Sequence, residues 1–208
     1  MYLYLPITLF FIGIYDDAYD LEANSKLFLI TLVFFVLLMI FPEFKLLKLN
    51  FSTFNFSIET GYFALIFTVL CLLLFLNATN MIDGINGLCG SFVLYSICYF
   101  SIKNGFSNID IFIILILMVF ILFNILNKTF LGNSGAYLLS SILSYKILYN
   151  NEVKFNYSAE EIYLVLIIPG LDMLRLFFVR LRSGKNPFMA DNNHIHHLIN
   201  SYIGDNNL

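Results

Sequence analysis

The sequence has little charge: only 12% of its 208 residues are Asp, Glu, Lys or Arg, whereas 60% are hydrophobic. Soluble domains carry about 25% charged residues, so this composition excludes an ordinary soluble protein. Uncharged runs cover most of the chain, at 1–15, 27–42, 60–82, 84–102, 111–127 and 129–145. Because a helix needs about 20 apolar residues to cross a bilayer, these runs predict a polytopic membrane protein.

Basic residues are also scarce, since 11 Lys and Arg against 14 Asp and Glu leave a net charge of -3. Nucleic-acid binding requires clustered positive charge, so the sequence argues against a nucleic-acid partner. The three cysteines, Cys71, Cys89 and Cys98, all lie inside apolar runs. We interpret them as buried thiols rather than as a disulfide framework. The runs also lack the strict alternation of membrane β-barrel strands, so they predict helices.

Seven membrane-spanning helices are predicted, at 1–14, 26–42, 61–78, 87–103, 109–127, 131–149 and 160–181. The expected fold class is an all-α integral membrane bundle that forms one domain over residues 1–208. Successive connections must alternate between the two membrane faces. One face therefore receives the four segments 15–25, 79–86, 128–135 and 182–208, and the connection 43–60 on the other face is expected to be an ordinary loop.

The orientation follows from the positive residues, which favour the cytoplasm. Lys and Arg together are nearly balanced between the faces, but all three arginines, Arg175, Arg180 and Arg182, lie at the face of the four segments. We therefore expect these motif loops in the cytoplasm.

Polar side chains cluster in these four segments. Asp16, Asp17 and Asp20 lie within five residues, and on a helical turn Asp16 and Asp20 would share a face. The alternative is that these acids complement the dipole of the following helix. The run from Asn77 to Gly87 offers four amide or carboxylate side chains and closely spaced glycines. Such glycines permit close approach of a ligand or of another helix.

The two remaining clusters are less specific when each is taken alone. The Gly132–Gly135 run opens a helix, where it acts either as a simple cap or as a source of backbone N–H groups for a phosphate. His194, His196 and His197 suit phosphate contacts, metal binding or proton transfer. Asp172 and Arg175, three residues apart in the last span, most simply pair with each other. The convergence of four clusters on one face indicates an active site at the membrane edge.

Together the clusters resemble those of the polyprenyl-phosphate N-acetylhexosamine-1-phosphate transferases, the glycosyltransferase family 4 type. The matching motifs stand in the family's order and are Asp16-Asp17-x-x-Asp20, Asn77-x-x-Asn80-x-x-Asp83-Gly84-x-x-Gly87, Phe130-x-Gly132-Asn133-x-Gly135 and His194-x-His196-His197.

The resemblance implies that a polyprenyl phosphate, undecaprenyl phosphate in bacteria, attacks the sugar-bearing phosphorus of a UDP-N-acetylhexosamine such as UDP-N-acetylglucosamine. UMP would leave, and the lipid-linked sugar would start a cell-envelope glycan. The resemblance also implies Mg²⁺, with Mn²⁺ as the alternative cofactor, and location in the bacterial inner membrane. The lipid bilayer is the expected surroundings, and a homodimer is left open.

The resemblance also implies residue roles. Asp16, Asp17 and Asp83 would be catalytic, with Asp16 or Asp17 as the base or the electrostatic partner of the lipid phosphate. The metal would be held by Asn80 and Asn133. The substrate-binding residues would be Asp20, Lys26, Asn77, Asn86, Phe130, His194, His196 and His197. Within this group Lys26 would contact phosphate, Asn86 would hydrogen-bond uracil and Phe130 would stack on it.

Two departures from the family pattern stand out. Asn133 occupies the position where the family usually has an aspartate that binds the metal, and a neutral amide should bind Mg²⁺ less tightly. The chain is also shorter than bacterial relatives before Asp16 and after His197. These departures motivate the alternative hypothesis of a shortened, catalytically inactive paralogue that acts at most as a membrane partner.

Overall fold

The computed structural model describes residues 1, 3–154, 157–182 and 184. Seven α-helices lie within this part of the chain: α1 (Tyr4–Tyr19), α2 (Ala23–Ile40), α3 (Ala64–Met81), α4 (Leu88–Asn104), α5 (Asn108–Ile125), α6 (Gly132–Lys154) and α7 (Ala159–Arg182). Short 3₁₀ turns at Pro42–Phe44 and Gly61–Phe63 flank a hairpin of two antiparallel strands, β1 (Lys48–Phe51) and β2 (Phe56–Glu59).

Each of the seven predicted spans overlaps one of these helices, with bounds that differ by up to five residues at each end. Three segments in the described part of the chain are long and apolar enough to cross a bilayer, namely Ala23–Ile40, Gly61–Met81 and Asn108–Ile125. These segments support a membrane protein, while a bundle of about seven crossings stays a prediction. Their side chains are apolar on all sides, as expected where lipid rather than water surrounds a helix.

The connection between α2 and α3 corrects the prediction of an ordinary loop and adds two strands to the expected all-α fold. Leu49 pairs with Ile58, and Phe51 pairs with Phe56, so apolar residues alternate with polar ones on both strands. The turn between the strands places Asn55 at a φ of 50°, a left-handed conformation that asparagine tolerates. Four residues a strand are too few for this alternation to be recognised in the sequence with certainty.

Helix α6 lies at the centre of the bundle and contacts α1, α3 and α4. One apolar cluster packs α1, α2 and α3 against one side of it, and a second packs α4, α5 and α7 against the other. Ser140, Ser141 and Ser144 of α6 are all buried. Small side chains at such positions let neighbouring helix backbones approach closely within a membrane.

The tightest helix crossing joins α1 to the start of α6 at Gly13. A Cβ atom built on Gly13 would lie 2.4 Å from Ser134 Cα and 2.7 Å from Ser134 N. Both of these atoms belong to the backbone of α6, so no change of side-chain rotamer can relieve the clash. Gly13 is about one helical turn before Asp17. The crossing therefore also fixes where Asp16 and Asp17 lie along the axis of α6.

We expect Gly13→Ala to lower the apparent melting temperature, because the added methyl group forces α1 and α6 apart at a cost of about 1–3 kcal/mol. Gly170→Ala in α7 is the matched control, since a Cβ atom there meets nothing within 4 Å. Thermal unfolding of both variants in the same detergent measures the difference. Equal melting temperatures for the two variants would show that the close crossing is not a constraint.

Candidate active site

The carboxylate of Asp17 binds the first turn of α6. Its Oδ1 accepts a hydrogen bond from the Asn133 backbone N–H at 2.8 Å, and its Oδ2 accepts one from the Ser134 N–H at 3.0 Å. The first N–H groups of a helix have no partner within the helix, and a negative charge there also favours the helix dipole. Asp17 therefore joins two clusters that are more than a hundred residues apart in sequence.

Glycine at position 132 is required for this contact. A Cβ atom there would lie 2.9 Å from Asp17 Oδ2, and the residue has a φ of 68°, which side-chain-bearing residues rarely adopt. The sequence suggested that backbone N–H groups at the start of α6 could bind a phosphate. In the structure, the N–H groups of Asn133 and Ser134 instead donate to the Asp17 carboxylate.

Asp16 also contacts α6, one turn further along that helix, and its side chain is fully buried. Its Oδ2 lies 2.6 Å from Lys26 Nζ and accepts a hydrogen bond from the Tyr137 hydroxyl at 3.5 Å. Its Oδ1 accepts a hydrogen bond from the Leu21 N–H at 3.2 Å. A buried carboxylate needs such compensation, and the ion pair supplies it while linking α1 to α2.

Asp20 corrects one expectation, because it does not share a helix face with Asp16. Helix α1 ends at Tyr19, and Asp20 follows it with a left-handed φ of 48°. Its N–H donates to the Asp16 carbonyl at 2.9 Å, while its side chain is exposed. Asp16 and Asp17 both lie in the last turn of α1 and not at the start of α2. The alternative interpretation, that these acids complement the dipole of the following helix, is therefore wrong.

Asp83 lies in the turn between α3 and α4 and completes an acidic cluster with Asp17. Burial raises the pKa of Asp83 to about 7; a hydrogen bond from the Gly132 backbone lowers it, and the nearby charge of Asp17 raises it. Among the described residues, the ion pairs leave both Asp17 and Asp83 without a basic partner. Two carboxylates thus lie near each other, and no Lys or Arg of the described ranges forms an ion pair with them.

Asn77, Asn80 and Phe130 lie in the segments that form this end of the bundle. Asn77 donates from Nδ2 to the Leu73 carbonyl at 2.9 Å, within its own helix. Asn80 is in the last turn of α3, and its carbonyl accepts from the Asp83 N–H at 3.3 Å. Phe130 is 84% exposed beside the start of α6. His194, His196 and His197 lie outside the described residues.

Asn124 is a site residue that sequence reasoning missed. It is only 3% exposed, its Oδ1 accepts from the Gly87 N–H at 2.5 Å, and its Nδ2 donates to the Thr129 carbonyl at 2.7 Å. One amide thereby joins the loop of Asp83 to the loop of Phe130. Asn86 donates to Asn127 Oδ1 at 2.5 Å and adds a second, exposed link between these loops. The only signal in the sequence is an amide inside an apolar run.

The donor chemistry of this end of the bundle fits Mg²⁺. Mg²⁺ prefers oxygen ligands and is usually held by one or two carboxylates together with substrate phosphates and water. Asp17 and Asp83 supply carboxylates without a basic partner, and the amides of Asn80 and Asn133 belong to the same three segments. Within the described ranges, three or more His, Cys, Asp or Glu side chains do not come together at a metal-binding distance.

Two further predictions concern residues outside the cluster. Asp172 and Arg175 pair as expected, with Oδ1 of the buried aspartate 2.9 Å from Arg175 Nη2 and 3.0 Å from its Nε. Cys71, Cys89 and Cys98 are free thiols as expected, but only Cys89 is buried, so the prediction of burial is wrong for Cys71 and Cys98, which are partly exposed.

Comparison with known families agrees with this geometry. The model of glycosyl transferase family 4 matches residues 1–150, well over half of the chain. The chain belongs to glycosyl transferase family 4. The matched region includes the acidic pair, the Asp83 turn and the start of α6, and it therefore covers the cluster described above.

Family 4 relatives with names extend the similarity beyond residue 150. The undecaprenyl-phosphate alpha-N-acetylglucosaminyl 1-phosphate transferase of Escherichia coli K12 is 28% identical over 211 residues, 96% of this chain and 57% of that protein. The protein of the same name from Thermotoga maritima is 32% identical over 203 residues, 95% of this chain and 60% of that protein. The chain thus spans somewhat more than half the length of these relatives.

We expect Asn124→Leu to destabilise this family 4 protein by about 2–3 kcal/mol, because the Gly87 N–H and the Thr129 carbonyl lose their buried partner. Asn86→Ala is the control, since its hydrogen bond to Asn127 is exposed and its loss costs less. The measurement is the apparent melting temperature in detergent. A larger loss for Asn86→Ala would contradict the structural role of Asn124.

Proposed function

We propose that this family 4 protein transfers a sugar 1-phosphate from a UDP-N-acetylhexosamine to undecaprenyl phosphate. The N-acetylglucosamine 1-phosphate group named in the relatives is the first candidate, and UMP is the second product. The site would face the cytoplasm of a bacterium, where UDP-sugars are made, and the product would start a cell-envelope glycan.

One observation carries this proposal: Asp17 and Asp83 meet at the start of α6, and no Lys or Arg in the described part of the chain pairs with either of them. Both substrates are anionic, so the site must hold positive charge when they are bound. The two carboxylates can recruit a divalent cation, which the phosphates then share. Lys26 adds a cation nearby, and its side chain is 22% exposed although it pairs with Asp16.

The reaction forms one bond and breaks one. An oxygen of the lipid phosphate attacks the phosphorus that carries the sugar, and the bond from that phosphorus to the bridging oxygen breaks, so that UMP leaves. Mg²⁺, when bound, would neutralise phosphate charge and hold the reacting groups in line. The side chains of Asn80 and Asn133 would be the Mg²⁺ ligands, and the catalytic Asp83 would lie beside them.

The two acids of the cluster suit different tasks. Asp17 accepts two backbone hydrogen bonds, which favour its charged form, so it would orient the start of α6 and contribute a fixed negative charge. Burial raises the pKa of Asp83 to about 7, and a divalent cation bound beside it would favour its charged form. Phe130, 84% exposed, is free to stack on the uracil ring.

An apolar groove next to the site suits the isoprenoid chain of the acceptor. Its volume is about 550 Å³, and it runs between α3, α6 and α7. Its lining includes Phe75 and Ala78 of α3, Leu148 of α6, and Leu166 and Leu174 of α7. Ala78 immediately follows Asn77, so the groove approaches the polar cluster from the membrane side. A lipid tail in this groove would place its phosphate near the carboxylates.

Purified protein should release UMP from UDP-N-acetylglucosamine only when undecaprenyl phosphate and Mg²⁺ are both present. We expect Asp17→Asn to lower kcat at least about 100-fold, because it removes a charge from the site and one acceptor from α6. Glu43→Gln is the matched control, since Glu43 is exposed at the opposite end of the bundle and should leave the rate unchanged.

The opposite result is equally clear. If the folded protein releases no UMP from UDP-N-acetylglucosamine or from other UDP-N-acetylhexosamines, the transferase proposal fails. That outcome would favour an inactive family member.

Asn133 allows a second test through the metal. We expect Asn133→Asp to lower the Mg²⁺ concentration for half-maximal activity about tenfold, because a carboxylate binds Mg²⁺ more tightly than an amide. Asn133→Ala should raise this concentration, although its backbone N–H can still bind Asp17. The measurement is the rate of UMP release as a function of Mg²⁺ concentration for the wild-type protein and both variants. The same Mg²⁺ dependence in all three would remove Asn133 from the metal site.

A further inference from the structure

The hairpin between α2 and α3 has one apolar and one polar face. Residues paired across an antiparallel hairpin share a face, and faces alternate along each strand. The pairs Leu49–Ile58 and Phe51–Phe56 therefore form one face, and the pairs Lys48–Glu59 and Asn50–Ser57 form the other. The hairpin is thus amphipathic over its whole length.

The bundle partly covers the apolar face at Leu49 and Phe51 of β1, whereas the β2 side and the turn are open. The rings of Phe51 and Phe56 stack with centroids 4.7 Å apart, and Phe54 at the turn contacts Phe56 at 6.3 Å. Nevertheless Phe54 is 73% exposed, and Phe56 and Ile58 are each 46% exposed. Contiguous exposed apolar residues of this kind mark a surface that binds something.

The hairpin is held firmly in place on the bundle. The carboxylate of Glu160, at the start of α7, accepts hydrogen bonds from the Ser52 and Thr53 N–H groups at 3.2 and 3.1 Å. The base of the hairpin is joined to α3 by the Leu46 N–H, which donates to the buried Thr68 Oγ1 at 2.8 Å. The exposed rings are therefore presented in a fixed position rather than on a loose loop.

The exposed apolar surface continues from the hairpin into a helix that is apolar enough to cross a membrane. Tyr62 and Phe63 lie just after β2. Tyr62 is fully exposed, and Phe63 is 73% exposed. Ile66, Leu70 and Leu74 follow at helical spacing along α3 and are each more than half exposed. Since Gly61–Met81 is a candidate span, this stripe is the surface that lipid would cover.

We propose that the apolar face of the hairpin lies in the interfacial layer of the bilayer, on the membrane side opposite the Asp17 and Asp83 cluster. Aromatic side chains concentrate at this depth of a membrane. Lys48 and Glu59 face each other on the polar face and cancel in charge, so binding depends on apolar contact rather than on anionic lipids. The inference requires membrane insertion but not the proposed transfer reaction.

Single-tryptophan variants test this placement directly, because the chain contains no Trp. Phe56→Trp and Ser57→Trp are a matched pair, since neighbours on one strand point to opposite faces. In phosphatidylcholine vesicles that contain lipids brominated near the headgroup, we expect about twofold quenching for Phe56→Trp and little for Ser57→Trp. Adding anionic lipid should not change this difference.

Two further variants keep the test decisive. Leu70→Trp reports insertion of α3 and should be quenched by lipids brominated deep in the acyl chain. Phe54→Trp probes the hairpin tip if Phe56→Trp fails to fold. Red-shifted emission without quenching at positions 54 and 56 would place the hairpin in water, and blue-shifted emission without quenching would place it against protein. Either result, or equal quenching of Phe56→Trp and Ser57→Trp, would overturn the proposal.

Discussion

The hydrogen bonds from the start of α6 to the Asp17 carboxylate organise the polar end of this molecule. A helix N-terminus presents unpaired N–H groups, and in most anion sites these groups hold a ligand. Here a side chain of α1 occupies them, at 2.8 and 3.0 Å. The N-terminus of α6 therefore fixes the position of a negative charge, and under the proposed function that position would decide where a cation binds. Asp83 approaches the same helix start through Gly132, so both acids take their positions from a single helix end.

The loops around this helix end are held by amides rather than by ionic pairs. Asn124 joins the Asp83 loop to the Phe130 loop with both of its polar groups used, so it leaves the net charge of the site unchanged. The acids with basic partners are other residues: Asp16, next to Asp17, pairs with Lys26, and Asp110, far from the site, lies 2.6 Å from Lys146. This division keeps the negative charge of Asp17 and Asp83 available while the surrounding backbone stays rigid.

The sequence was a good guide to helices and to the end of the bundle where the motifs meet, but a poor guide to partners. Long apolar runs identify the helices, and the alternation of membrane faces brings Asp17, Asp83 and Gly132 to one side. The partner of each residue depends on how a helix is rotated, and helices that are apolar all round carry no periodic signal for that rotation. The sequence therefore predicted a role for Asp17 but not its bonds to α6, and it contained no distinctive sign of Asn124. The hairpin was missed because its alternation covers only four residues a strand. Expectations for His194, His196 and His197 stay predictions.

The crossing at Gly13 has a consequence for how this protein can change in evolution. Gly13 and Asp17 are separated by one turn of α1, and one residue of helix corresponds to about 100° of rotation and 1.5 Å of rise. An insertion or deletion between them would keep every residue type but would turn the carboxylate away from the start of α6. Substitution at the intervening Ile14 and Tyr15, which are 42% and 51% exposed, carries no such penalty. Related chains should therefore vary in residue type at positions 14 and 15, while the buried Asp16 and the length of the turn stay constant.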